Sequence, residues 1–363
     1  MISLNSVAER AASGLKPLKV PFLATLGAFA LGLALIVLAG APLADALGAL
    51  RDGMYGTPYA LGASLNAAAL LALVGGGFVV ASRCGLTNVG GEGQINLGAL
   101  AAAAVGLHGA ARLPGPLPMI APLLAATLAG AVWGGLAGAL KAWRGTNEVI
   151  STLLLNFVAI GLVSVAVHEP SLLRQPATSA QTLPNSPPLP EATHLALLPL
   201  GGGAQGTIGI LIAALVLLAA LVLVRYSAFG LKLRSVALGK QAAARAGISP
   251  GLMEIAALSI AGGASGLAGG ILMLSTPFIL RDGFSSGYGF QGLVVGLLAR
   301  GSAPAVALAA LLFGFLDTGG ISLEVGVGVP STVIVIVEAV IVITIAASAG
   351  LGLGRIKSRR AIS

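Results

Sequence analysis

Long apolar runs alternate with short polar connections along this chain, and few folds can hold such a pattern. An α-helix needs about 20 predominantly apolar residues to cross the hydrocarbon layer of a bilayer. Windows of that kind occur at residues 21–41, 61–81, 117–140, 148–167, 207–224, 255–274, 303–321 and 330–347. Two shorter apolar stretches, 95–107 and 289–298, each follow Gly-rich polar sequence, the pattern of a broken or re-entrant helix. The reading is an all-α, polytopic membrane protein with about ten transmembrane helices.

Composition agrees. Only 9% of the residues are charged and 56% are apolar, whereas a water-soluble domain carries roughly 25% charged residues. The 53 glycines suit helices that approach closely in lipid. The formal charge of +8 is spread a few residues at a time between apolar runs, not gathered on one face, which argues against a nucleic-acid polymer as partner. Cys84 is a single cysteine and has no partner for an internal disulfide. The first apolar run lacks a small-residue cleavage site and is expected to stay in the mature protein.

Lysine and arginine set the orientation, because cytoplasmic loops of inner-membrane proteins are enriched in them. With ten crossings and a cytoplasmic N-terminus, only Arg51, Arg112, Arg174 and Arg281 fall outside, and the other sixteen of the twenty basic residues fall inside. Both termini are then cytoplasmic. A Pro-rich connection at 168–206 lies outside, where it either meets a soluble partner or joins helices; a basic loop at 225–253 lies inside. The stretches 61–167 and 254–349 each pair a long apolar run with a Gly-rich break and a short one. They read as two inverted repeat units within a single transmembrane domain, 1–363.

Three polar constellations interrupt the apolar background. In Thr87-Asn88-Val-Gly-Gly-Glu92-Gly-Gln94, irregular backbone at membrane depth must be buried in protein or line a wet cavity. Glu92 there is costly unless paired or solvated. It belongs either to a pathway-lining break or to a turn in which it pairs with Arg83. In the second, Gly145-Thr146-Asn147-Glu148-Val-Ile-Ser151-Thr152 with Asn156, Thr146 or Asn147 can cap a helix and Glu148 favours its positive end. Ser151, Thr152 and Asn156 then either face a pathway or bond to neighbouring helices. In the third, Gln241 to Ala246 reads as one or two helical turns stopped by Gly247. So short a helix is not stable alone; it is either received by another protein or is an amphipathic connector.

Nothing points to catalysis. There is no G-x-x-x-x-G-K-[ST] loop, since Gly239-Lys240-Gln241 lacks the hydroxyl residue and the upstream glycine. His108, His168 and His194 have no metal-ligand spacing.

At these three stretches the chain resembles the permease subunits of ABC importers of the branched-chain amino acid, ribose and nucleoside type. Asn88 to Gln94 is similar to that family's Asn-Ile-Gly-x-Glu-Gly-Gln signature. Gly145 to Asn156 is similar to the Gly-Thr-Asn-Glu-Val-Ile-Ser-Thr run of its nucleoside and simple-sugar members, and Gln291 to Arg300 resembles its second conserved stretch. The sequence departs from the pattern at Gly91, where a bulkier residue is usual, and at Ala299-Arg300, where Gly-Arg is usual.

The resemblance implies a bacterial inner-membrane importer subunit for nucleosides or related polar solutes, with a sugar or branched-chain amino acid permease as the alternative. It implies an ATP-binding subunit that holds the ATP and Mg, no cofactor on this chain, a second permease in a heterodimer, and a periplasmic or lipid-anchored substrate-binding protein. Lys240, Ala243, Ala244, Arg245, Gly247 and Ile248 would belong to the coupling helix seated on the ATPase. Asn88, Glu92, Gln94, Asn147, Ser151, Asn156, Phe157, Phe290 and Gln291 would line the pathway, with Phe157 or Phe290 as stacking platforms for a base. A reading from another class is an ion-coupled carrier using Glu92, Glu148, Asp317 or Glu338 as a relay. It would need no docking helix.

Overall fold

The structure is a computed structural model that describes residues 27, 30–38, 40–176, 183–199, 201–330, 332–340 and 343. Among these residues the regular structure is helical, and the only strand-like pairings are the isolated bridges Asn185–Arg281 and Leu197–Thr207. The helices are α1 (Leu43–Arg51), continued by a π-helical turn (Asp52–Gly56), α2 (Pro58–Arg83), α3 (Gly91–Leu107), α4 (Leu117–Arg144), α5 (Glu148–His168), α6 (Gly209–Tyr226), α7 (Ala228–Leu238), α8 (Lys240–Arg245), α9 (Pro250–Ser275), α10 (Tyr288–Leu298) and α11 (Ala303–Val327). Residues 30–38 and 332–340 are also helical.

Six of these helices, α2, α4, α5, α6, α9 and α11, are long and apolar enough to cross a membrane. They coincide with the windows expected at 61–81, 117–140, 148–167, 207–224, 255–274 and 303–321. The windows at 21–41 and 330–347 are described in part, and residues 30–38 and 332–340 within them are helical. The two short stretches form α3 and α10, and α3 begins four residues earlier than expected, at Gly91. Glu92 and Gln94 therefore sit in its first turn, and the irregular backbone is confined to residues just before it.

The chain divides into two compact units. One comprises residues 1–57 and 315–363; in its described part Ile36, Ala46, Leu50, Leu316, Leu323, Ile334 and Val337 form an apolar cluster. The other, residues 58–314, contains the polar constellations. Its middle is made by α2 and α9, the most enclosed of the apolar helices. α2 is apolar all round, as a helix buried on every side must be.

The closest association in this unit is between α4 and α9. Ala126, Gly130, Gly134 and Gly138 recur every fourth residue on α4, and Leu258, Gly262 and Gly266 do so on α9. A methyl group at Gly130 would run into the Gly262 carbonyl, and one at Gly262 into the Gly130 carbonyl. Absent side chains let the two backbones touch, and dispersion contacts replace the hydrophobic drive that lipid does not supply. The short helices cross over: α3 packs along α9, and α10 packs along α2.

Residues 185–195 of the Pro-rich connection fold back on the loop between α9 and α10. Ser186 donates its backbone N–H to the Leu280 carbonyl and accepts the Leu280 N–H on its hydroxyl, both at 2.9 Å. His194 stacks on Phe278 with ring centroids 3.7 Å apart.

Candidate functional site: the paired helix breaks and the α8 turn

The first and second constellations form one structure. Asn147 caps α5, its side-chain oxygen accepting the Val149 N–H at 2.9 Å. This puts Thr152 and Asn156, four residues apart, on one buried face of α5. Thr152 Oγ1 accepts the Val89 N–H at 3.2 Å. Asn156 accepts the Gly93 N–H at 2.8 Å and donates to the Val89 carbonyl at 2.9 Å. The polar side chains of α5 thus satisfy the backbone that the break leaves open, as irregular backbone in a bilayer requires. Asn88 and Gln94 close the turn, Asn88 Nδ2 donating to Gln94 Oε1 at 2.9 Å and Gln94 Nε2 to Asn88 Oδ1 at 3.2 Å.

Glu92 does not pair with Arg83. Its side chain is buried, and its carboxylate accepts from three donors of the second break: the Ser285 hydroxyl, the Gly287 N–H at 3.2 Å and the Gly289 N–H at 2.9 Å. Gly287 and Gly289 occupy the N-cap and second position of α10. Glu92 is itself in the first turn of α3. One carboxylate therefore sits at the positive ends of two helices and takes up donors that α10 leaves free. Asn96 extends the network, its Nδ2 donating to Ser285 Oγ at 2.8 Å and to the Glu92 carbonyl at 2.9 Å. A Cβ at position 289 would meet the Glu92 backbone, which is why the second break carries glycine there.

Other expected pathway residues lie elsewhere. Asn147 and Ser151 make local bonds, Ser151 donating to the Asn147 carbonyl at 3.0 Å. Phe157 stands 67% exposed on the flank of α5, away from the inward-facing Asn156, and Phe290 is 44% exposed. Gln291 is half-buried. Of the carboxylates in the relay reading, Glu148 is engaged separately, by Lys141 Nζ at 2.6 Å. Ser285 and Asn96 were not anticipated, whereas Gly287 and Gly289 belong to the Gly-rich break ahead of the second short stretch.

The third constellation is the α8 turn. Gly247 adopts a left-handed conformation, the Ile248 N–H bonds to the Ala243 carbonyl and the Gly247 N–H to the Ala244 carbonyl, both at 3.0 Å. Those bonds satisfy the last carbonyls and stop the helix. Ala243 faces inward, buried in an apolar cluster with Ala81 of α2, Ala137 of α4 and Ala257 of α9, with Ile248 packed beside it. Lys240 is held by the buried Glu254 of α9. Ala243 and Lys240 thus anchor the turn to its own chain. The outward face is left to Ala242, Ala244 and Arg245.

Six apolar helices of spanning length, with two short helices capped against each other between them, are the architecture of a multi-pass membrane protein. Residues 60–352 match the family described as the branched-chain amino acid transport system / permease component, and the chain belongs to that family. It is similar to the guanosine ABC transporter permease protein NupP of Bacillus subtilis, 31% identical over 87% of this chain and 89% of the relative. It is also similar to the glucose ABC transporter permease protein TsgB13 of Haloferax volcanii, 32% identical over 86% and 82%. A third relative is the nucleoside ABC transporter permease protein NupB of Lactococcus lactis, 27% identical over 73% of each chain. No solved structure matches the chain. The chain is a permease subunit and not an enzyme, and its family implies an ATP-binding subunit and a substrate-binding protein as partners.

Proposed function

We propose that this chain is the permease subunit of an ATP-driven importer for nucleosides or closely related polar solutes. The observation that carries the ATP-driven reading is α8. Its anchored side joins the ends of α2, α4 and α9, while its Ala242, Ala244 and Arg245 face is free for an ATPase. A push on that face moves the cluster as a body, because packed cores shift between discrete arrangements and do not deform smoothly. α2 and α9 carry the shift to α10 and α3, whose junction at Glu92 parts or closes the route. Glu92 is saturated with donors and serves as the clasp of that junction, not as a proton relay.

The nucleoside assignment is supported by the two relatives named for guanosine and nucleoside, and by the Gly145–Asn156 run. A sugar is the second reading, favoured by the relative named for glucose. In this proposal the ten-crossing topology holds, residues 61–167 and 254–349 are inverted units of one domain, and both termini lie in the cytoplasm of a bacterial inner membrane. The chain pairs with a different permease, receives solute from a periplasmic or lipid-anchored binding protein, and leaves ATP and Mg to the ATPase.

The test is a panel of nucleosides, ribose, glucose and branched-chain amino acids, offered to the associated binding protein and then to vesicles holding the assembled transporter. Nucleoside binding with ATP-dependent uptake, lost in Arg245→Glu, is the expected result. Ribose or glucose in place of nucleosides selects the second reading. Uptake driven by an ion gradient without ATP and indifferent to Arg245→Glu overturns the proposal.

A further inference from the structure

Four arginines converge on a cavity of about 480 Å³ that plays no part in the clasp or the α8 turn. Arg83 is the last residue of α2, Arg225 is next to last in α6, Arg234 lies on α7, and Arg300 lies on the link between α10 and α11. No aspartate or glutamate lines the cavity, and none of the four arginines forms an ion pair among the described residues. Arg83 donates to the Gly301 carbonyl at 3.4 Å, and its Nε is buried with no acceptor.

Like charges gathered in a concavity repel one another and focus a positive potential that an anion relieves. The site adds two more sources of positive potential, since the first turns of α7 and α11 both line it. Ser227 caps α7 through the Gly230 N–H at 3.1 Å, and Ser302 precedes α11. Arg300 is one of three non-glycine residues with positive φ among the described residues, at 47°, a conformation that persists only where the surroundings enforce it.

The lining also identifies the kind of anion. Arg83 and Arg225 end two membrane-spanning helices, so the cavity opens where hydrocarbon gives way to headgroups. Beside the guanidiniums, Ser227 and Ser302, its wall carries the apolar side chains Leu221 and Val224 of α6 and Leu231 of α7. A soluble anion has no use for that wall, whereas a lipid presents a phosphate and acyl chains together. Basic pockets between spans bind lipid headgroups in this manner. We propose that this cavity binds the phosphate headgroup of an anionic phospholipid. The inference rests on the chain being a membrane protein and is independent of the transported solute.

The experiment compares the assembled transporter in nanodiscs of phosphatidylglycerol and of phosphatidylcholine. Retained lipid is counted by native mass spectrometry and thermal stability is followed in parallel. Arg234 and Arg300 are exposed, so Arg234→Gln/Arg300→Gln is expected to fold, with Arg234→Lys/Arg300→Lys as the charge-preserving control. Wild type and the lysine pair should retain phosphatidylglycerol and be stabilised by it. The glutamine pair should bind it roughly 30-fold more weakly, the loss of two basic contacts, with its stability in phosphatidylcholine unchanged. Equal retention of the two lipids, or undiminished phosphatidylglycerol binding by the glutamine pair, overturns the proposal. Equal stabilisation by inorganic phosphate in phosphatidylcholine overturns it in favour of a soluble anion. Loss of the ATP-binding subunit with lipid retention intact overturns it in favour of a protein contact.

Discussion

The two glycine-rich breaks occupy corresponding places, each ahead of a short helix, yet they contribute opposite chemistry. The first break and the opening turns of α3 carry the side chains Asn88, Glu92, Gln94 and Asn96. The break before α10 offers backbone N–H groups at Gly287 and Gly289, with one hydroxyl at Ser285. One supplies the acceptor and the other the donors, and neither is satisfied alone. Two breaks that each precede a short helix thus need not form two sites, because a single clasp needs two unlike halves.

That comparison is broken most severely at the point of closest approach. A Cβ at position 289 meets backbone of Gly91 and Glu92, which cannot turn aside as a side chain can. Gly289→Val is expected to cost about 3 kcal/mol or more and to abolish recovery of monodisperse protein by size-exclusion chromatography. If the variant is recovered at wild-type yield, the two breaks are not in backbone contact.

Glu92 comes next. Glu92→Ala strands three donors, two of them buried, and opens a cavity, an expected loss of about 4 kcal/mol. Glu92→Gln keeps the volume and one acceptor but turns an amide toward N–H groups, an expected loss of about 2 kcal/mol. Both should lower the thermal midpoint and ATP-dependent uptake, alanine more than glutamine. Equal effects would show that charge, not shape, holds the clasp.

Asn156→Ala probes the support of the first break. It leaves the Gly93 N–H and Val89 carbonyl without their partner, an expected cost of about 2 kcal/mol. Asn156→Asp retains the acceptor for Gly93 and should lose less. Both are read as shifts of the thermal midpoint in detergent. Phe157→Ala, on the exposed flank of the same helix, is the matched control and should leave the clasp unchanged.

The sequence disclosed the helices because span length and hydrophobic runs are local properties. It disclosed the end of α8 because a left-handed stop is read from one glycine, Gly247. The spacing of Thr152 and Asn156 showed that they share a face, but their partners Val89 and Gly93 lie on another helix's approach, and long-range pairing has no local mark. Glu92 was legible as a buried charge needing a partner. One of the two readings paired it with Arg83, the nearest cation in sequence, whereas the structure gives Arg83 the Gly301 carbonyl and gives Glu92 mainly backbone N–H groups. Backbone donors belong to almost every residue, so composition cannot single them out. The inward turn of Ala243 was hidden for a related reason: on a six-residue helix no periodicity is long enough to tell the anchored face from the free one.

Ser285 carries the smallest expected effect and discriminates most finely between the two breaks. Its hydroxyl donates to Glu92 and accepts from Asn96. In Ser285→Ala the carboxylate still has the Gly287 and Gly289 N–H groups, and Asn96 still has the Glu92 carbonyl. One neutral donor is removed from a charged acceptor that keeps two others, so the loss should be about 1 kcal/mol, well below that of Glu92→Gln. Thermal midpoints of the two single variants and of the double variant measure the coupling. If Ser285→Ala costs as much as Glu92→Ala, the second break holds the carboxylate through its side chain, and the division into an acceptor break and a backbone-donor break fails.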